Sequence, residues 1–359
     1  MTATLPDVYV PDFALTLDGQ PAPAELRACV TSVSFEEALE GADRVEVNLA
    51  NPDLRFLDHP LLQLGVQLEL ALGYRPDGLR DAFIGDITGV EPSFPSSGMP
   101  LLAVSAHDFM QRLTKGTKER SFPYYLPDSV IAAIVAAENF LLADPDPAAA
   151  GLSALNVLNQ RPRSQHKKSD YDFLREIAAE YGFDMWVEGH VFHFKLLLRE
   201  LPPPDVELRW GASLLEFTPK HTSIGEILGV TIKVWVEATK TQLAVSVSWD
   251  GERLTLRVQP AFLATDRKTK ATLSLPDIPL DTPVDAIKWV LGEMRRRINA
   301  RITGSGSAIG DPRLRAGQVI ALSGLGRQFS GSNYRLTSVT HSIDAGGYRT
   351  RFQVRQELV

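Results

Sequence analysis

Ser169-Asp170-Tyr171-Asp172-Phe173-Leu174-Arg175-Glu176-Ile177-Ala178-Ala179-Glu180-Tyr181-Gly182 reads as one capped amphipathic helix. Ser169 takes the N-cap, Asp172 three residues on is the acidic partner of a capping box, and Gly182 is the stop. Phe173, Ile177 and Tyr181 recur every fourth residue, with Leu174 and Ala178 beside them, so one apolar stripe must be buried. Arg175, Glu176 and Glu180 are expected to face water. After Gly182 the period becomes alternating. Phe183, Met185 and Val187 point one way, and Asp184, Trp186 and Glu188 the other. Gly189 then turns the chain into Val191-Phe192-His193-Phe194. The stretch is a helix followed by a hairpin.

Upstream, residues 12–106 read as β structure, with strands expected at 26–35, 45–49, 66–70, 83–90 and 101–106. A helix is expected at 129–142, then a Pro/Ala-rich linker at 144–151 and a basic polar loop at 161–168. Leu201-Pro202-Pro203-Pro204 is a rigid break. Beyond it, strands at 243–249 and 254–258 flank a hairpin signal, Asp250-Gly251, after a strongly alternating run at 230–236. Thr282-Pro283-Val284-Asp285 opens a helix whose apolar stripe is Ile287, Val290, Leu291, Met294 and Ile298. Gly304-Ser305-Gly306-Ser307 reads as a linker.

The final block reads as a partial internal repeat. Residues 65–70, Gly-Val-Gln-Leu-Glu-Leu, resemble 317–322, Gly-Gln-Val-Ile-Ala-Leu. Residues 83–88 resemble 334–339, and a last alternating strand follows each, at 101–106 and 348–354. Convergent strand-and-turn patterning is the competing explanation. Three chains carrying two like units each would offer six similar units around a threefold axis.

Two motifs carry a resemblance. The first is Tyr171-Asp172-Phe173-Leu174 with Gly182-Phe183 and the aromatic hairpin. The second is Gly310-Asp311 with Gly317, then Gly331, His341, Gly347-Tyr348 and Phe352. In this order and spacing they resemble the phage late control D family, the central baseplate hub of contractile tails, and the hub part of VgrG-type spike proteins. The resemblance implies an α+β, predominantly β fold: two related small β-barrel domains with inserted α/β domains, forming a trimeric ring. The expected divisions are 1–114 for the first barrel, 115–201 for the helix-hairpin unit, 202–240 with 303–359 for the second barrel, and 241–302 for an insert. The implied function is structural. A homotrimer adapts a threefold spike to a sixfold inner tube, with the inner tube hexamer, a separate spike protein and other baseplate proteins as partners. The chain stops at Val359 just past the second β block, so the spike is expected to be a separate polypeptide.

Composition sets further bounds. The 359 residues are 44% hydrophobic and imply two or three compact units. A formal charge of -7 argues against a specific nucleic-acid binder. Cys29 is the single cysteine, so no internal disulfide forms, and its place in the 26–35 run reads as a buried thiol. The N-terminus lacks the features of a Sec signal, so synthesis in the bacterial cytoplasm and release within a particle are expected. The most apolar segment, 130–143, falls short of the ~20 residues that span a bilayer, so no membrane anchor is expected.

Chemistry is not evident. His190 and His193 are three apart on a strand and face opposite sides, a poor metal pair. His107-Asp108 lacks a nucleophile elbow. The Gly-rich run at 304–310 has the wrong spacing for a phosphate loop. No catalytic, cofactor or metal residue is assigned. The alternative classes are a cell-wall hydrolase and a carbohydrate-binding protein sharing β modules.

Overall fold

Alternating apolar positions dominate the chain, and thirteen strands join in one hydrogen-bonded sheet. The computed structural model describes residues 10–75, 77–146, 162–195, 203–222, 229–236, 240–249, 254–263, 272–275, 283–299 and 301–357. The fold is predominantly β with few helices.

The sheet contains the same module twice. In the first module the strands lie in the order Val30–Ala38, Arg44–Ala50, Leu101–His107, Gly78–Ser93, Gln67–Arg75 and Val10–Leu17. In the second the order is Leu214–His221, Ile302–Ile309, Gly347–Gln356, Gly331–Asp344, Val319–Ser323 and Val206–Arg209. Irregularities match as well as order. The first strand of each is bulged, between Val30 and Ser32 and between Leu214 and Glu216. The fourth strand of each is bulged too, between Ile87 and Gly89 and between Leu336 and Ser338. Beside that second bulge the same two hydrogen bonds recur. Gly65 N–H donates to Ile87 O at 2.8 Å and Ile87 N–H to Val66 O at 2.8 Å. Gly317 N–H donates to Leu336 O at 2.8 Å and Leu336 N–H to Gln318 O at 2.9 Å. The modules differ at the sixth strand, antiparallel in the first and parallel in the second.

Several expectations need correction. The repeat is real, but Ile87 corresponds to Leu336, so the expected alignment of 83–88 with 334–339 is slipped by two residues. A two-residue slip keeps every side chain on its own face, which is why alternation alone did not detect it. The strand path is open, and no closed barrel forms among the described residues. The run 26–35 is a short helix, Ala24–Cys29, leading into the strand Val30–Ala38, with Cys29 half-buried against the first core. The supposed linker at 304–307 lies inside the strand Ile302–Ile309, and the supposed loop at 161–168 contains the strand Arg163–Lys168, paired with Lys118–Phe122. The strand Gly229–Val236, grouped by sequence with the second module, pairs instead with Thr241–Trp249.

Glycine is tolerated in Ile302–Ile309 because aromatic rings fill the space above it. A Cβ on Gly304 would lie 2.7 Å from the Phe217 ring, and one on Gly306 2.7 Å from Phe352. Gly306 pairs with Phe352, whereas the corresponding pair in the first module is Val47 with Val104. One module uses two medium side chains where the other uses none and a large one.

The helix-hairpin unit packs Asp128–Glu138 and Asp170–Tyr181 against the three-stranded sheet Asp184–Glu188, Val191–Lys195 and Leu142–Pro145. Ser169 caps as expected, its Oγ accepting from Asp172 N–H at 3.0 Å, and Gly182 adopts φ 68. Phe173, Leu174, Ile177 and Ala178 are buried. Glu180 is half-buried, not free: Arg163 bridges it and Asp128 with hydrogen bonds of 2.6 to 2.9 Å. The insert packs Ala286, Val290, Met294 and Ile298 of the helix Pro283–Ile298 onto a four-stranded sheet. Leu291, the Asp250-Gly251 turn, Thr282 and the Leu201-Pro202 part of the proline break lie outside the described residues or side chains. Among the described residues no helix is long and apolar enough to cross a membrane.

Ser169→Ala should lower stability by about 1 kcal/mol in urea denaturation through loss of the cap. Gly306→Val should cost about 1–3 kcal/mol by overpacking against Phe352. Adding Phe352→Val, which copies the first module's pair, should recover part of that loss; strictly additive effects would contradict the size exchange.

Candidate functional site

The two modules meet edge to edge. The strand Val30–Ala38 of the first adds to the second half of Gly331–Asp344 of the second, in register from Ser338 opposite Ala38 to Ile343 opposite Val33. Backbone pairing alone is weakly selective, and the side chains supply the specificity. Ile343 and Tyr348, at the tip of the second module's last hairpin, are buried in the core of the first. Burying Ile343 stabilises the contact by roughly 1.5–3 kcal/mol.

His341 lies at the centre of the joint. Its Nε2–H donates to Leu314 O at 2.9 Å, which leaves Nδ1 to accept from Tyr348 Oη at 2.9 Å and Thr350 Oγ1 at 3.1 Å. The ring stacks on Phe35 at 5.9 Å. Burial pushes its pKa down to about 4, so it is neutral. Burial likewise raises the Tyr348 phenol. Tyr74 of the first module donates to Gly310 O at 2.8 Å, and Gly310 has no side chain because a Cβ there would lie 2.1 Å from the Tyr348 ring.

A charged clamp closes the other side. Arg315 grips Glu37 at 2.9 and 3.0 Å, and Ala316 N–H donates to the same carboxylate at 2.9 Å. Close by, burial pushes Asp108 up to about 8, and burial with the Glu37 and Asp108 carboxylates raises Asp43. These acids line a cleft of about 250 Å³ that also touches Asp184, Trp186 and Gly317. Within this lining Glu37 binds Arg315, Asp43 accepts from Ala38 N–H at 3.3 Å and Asp108 accepts from Met110 N–H at 3.2 Å.

The two sequence motifs occupy two sides of this region. Gly310, His341 and Tyr348 are in the joint itself, and Asp311 N–H donates to Thr350 Oγ1 at 3.0 Å. Gly317 and Gly347 supply turns at φ 88 and 105. Phe352 is in the second core, and Gly331 opens the strand that crosses the joint. The helix motif is a strut: Phe173 and Leu174 anchor it, while Tyr171 Oη accepts from Gly41 N–H at 3.1 Å, in the turn after Val30–Ala38. Asp172 is confined to the cap, and Phe183 packs edge-on against Phe194. Buried Arg335 reaches Asp184 at 3.0 Å, tying the hairpin to the second module. Sequence reading missed Glu37, Tyr74, Thr350 and Arg315 as joint residues. Arg315 and Thr350 carried a signal, since each lies inside the second motif, at 310–317 and 346–352. His190 packs against Phe109 at 4.5 Å, and His193 stacks on Trp186 and contacts Asp144 at 2.8 Å, so the histidines serve separate contacts.

The joint should respond to pH in two opposite senses. Between about pH 4 and 8 the folded state holds the Asp108 proton that the unfolded chain releases, so this group's contribution to stability falls as pH rises. His341 contributes fully above pH 6.5 and loses its contribution as pH falls toward 4. Asp108→Asn should therefore flatten the decline in stability between pH 5 and 8, by up to about 1.4 kcal/mol per pH unit. An unchanged slope in urea titrations would contradict the assignment.

No curated protein matches the sequence. Solved structures share the fold at low identity. The 43 kDa tail protein of prophage MuSo2 from Shewanella oneidensis matches at TM-score 0.69 and 12% identity, over 96% of this chain and 98% of that one. The tail protein from Neisseria meningitidis MC58 matches at 0.64 and 12%, over 97% of each. An Escherichia coli component of the type VI secretion system, described as structurally similar to the T4 bacteriophage tail proteins gp27 and gp5, matches at 0.59 and 13%, over 95% and 76%. The model of the Alg8 N-terminal domain family matches residues 41–345, and the chain belongs to that family.

Proposed function

We propose that the chain is the baseplate hub of a contractile injection machine, of the kind typified by phage late control D proteins and the hub part of VgrG. Three copies form a ring of six like modules. One end of the ring meets the hexameric inner tube, the other carries a spike protein, and further baseplate proteins surround it. The role is mechanical and no catalysis is assigned.

The observation that carries this reading is the duplicated module, alike in strand order and in the position of both bulges. A threefold assembly of such chains presents six near-equivalent surfaces, which is what a sixfold tube requires of a threefold spike holder. The likeness in fold to tail and secretion-system proteins supports the same reading. The proposed units are the first module at residues 10–107, the helix-hairpin strut at 108–195, the second module at 203–222 with 301–357, and the insert at 229–299. The chain is made in the bacterial cytoplasm and leaves it as part of a particle.

Native mass measurement should give three times the 39.5 kDa chain mass, alone or once tube and spike proteins are added. A monomer under all these conditions would overturn the reading. Pull-down with the chain as bait should retain a spike protein, and an obligate joint of this kind should bury more than the ~1,600 Å² of a standard interface.

A further inference from the structure

The internal joint uses only one of two equivalent sets of edges. Inside the chain, the first strand of module one pairs with the fourth strand of module two. The converse pair is the first strand of module two, Leu214–His221, and the fourth strand of module one, Gly78–Ser93. Among the described residues Leu214–His221 pairs as a strand on one side only, with Ile302–Ile309, apart from a single bridge between Leu214 and Trp210 at its start. Gly78–Ser93 pairs with Gln67–Arg75 up to Asp86 and with Leu101–His107 from Asp86 on. Among the described residues, the backbone edge from Gly89 onward, on the side away from Leu101–His107, has no partner strand. The two edges belong to opposite ends of the chain's module pair, so one copy cannot join them to each other in the way it joins the internal pair.

We propose that Leu214–His221 of one copy pairs antiparallel with the Gly89–Ser93 edge of the next copy, repeating the internal joint between molecules. The bulges set the register. Val30 and Ser32 correspond to Leu214 and Glu216, and Ile87 and Gly89 to Leu336 and Ser338. Carried through this correspondence, Thr340 opposite Glu36 becomes Glu91 opposite Lys220, and Ile343 opposite Val33 becomes Phe94 opposite Phe217.

The side chains fit that register. Glu91 and Lys220 are both exposed and opposite in charge, a favourable cross-strand pair. Phe94 is 60% exposed, whereas its counterpart Ile343 is 8% exposed inside the internal joint. An aromatic left in water at the position where its twin is buried marks an unfilled contact. Pro92 and Pro219 also meet. Neither has an N–H, so this pair adds no ladder bond, and prolines on both edges discourage pairing with unrelated strands. Selection therefore rests on the charge pair and the aromatic contact. Alternating internal and external joints form a heterologous ring, and only the number of copies rests on the hub reading above.

The test is a cysteine pair in a Cys29→Ser background. Glu91→Cys with Lys220→Cys should give disulfide-linked ladders up to the full oligomer after mild oxidation, while each single variant stays uncrosslinked. Phe94→Asp should weaken association at least tenfold with unchanged circular dichroism. Glu91→Lys should weaken it too, and the swap Glu91→Lys with Lys220→Glu should restore it, which keeps the test independent of the cysteines. A trimer by native mass that neither crosslinks nor responds to these changes would overturn this joint and leave the hub reading standing. A wild-type chain that is monomeric at every concentration and with its partners would overturn both.

Discussion

The pairing of Val33–Ala38 with Ser338–Ile343 is the constraint on which the rest of the architecture depends. It converts two separate sheets into one continuous path, and it does so between residues about three hundred positions apart. Such a long-range contact carries a loop-closure cost and must be rewarded by specific burial. Ile343 and Tyr348 supply that burial by inserting into the partner module's core, and His341 satisfies three polar neighbours at once. The Arg315–Glu37 clamp is more a guide to register than a source of stability, since desolvating both ions offsets much of their attraction. Burial raises the carboxyls of Asp43 and Asp108 nearby, which fits the same picture of a crowded, water-poor seam.

Around this seam the other units act as braces. The helix Asp170–Tyr181 is tied to the turn at Glu40 and Gly41 through Arg175 and Tyr171, so it steadies the strand that enters the joint. Its N-terminus is held in turn by a network in which Asp170 accepts from Lys118, Arg120, Gln165 and Asn139 at 2.7 to 3.0 Å. Arg335 fixes the hairpin from the opposite side. The helix-hairpin unit therefore touches both modules, which limits how far the joint can flex.

Much of this was legible in the sequence, and the gaps have physical reasons. The helix 170–181, its cap at Ser169 and its stop at Gly182 follow from local chemistry, which is why they could be read directly. The repeat was legible as a pattern but not in register, because a period of two cannot distinguish shifts of two. Gly304 and Gly306 hid a central strand, since the rings that justify them, Phe217 and Phe352, are distant in sequence or on another strand. The strand Arg163–Lys168 was hidden by its charges, which are neutralised by Asp128, Glu180 and Glu176 contributed by helices. Of the joint, the glycines, His341 and Tyr348 stood out as a motif. Their partners Tyr74 and Glu37 are ordinary strand residues that only the folded register brings together, whereas Thr350 lies inside the same motif as Tyr348.

The central claim is that one edge-to-edge joint between like modules organises the molecule and its assembly. The most direct measurement is an electron cryomicroscopy reconstruction of the purified assembly computed without imposed symmetry. The account predicts a ring of six similar modules from three chains, with internal and external joints alternating and alike in register. A ring whose chains meet through other surfaces, or modules that separate at the Val33–Ala38 seam, would contradict it.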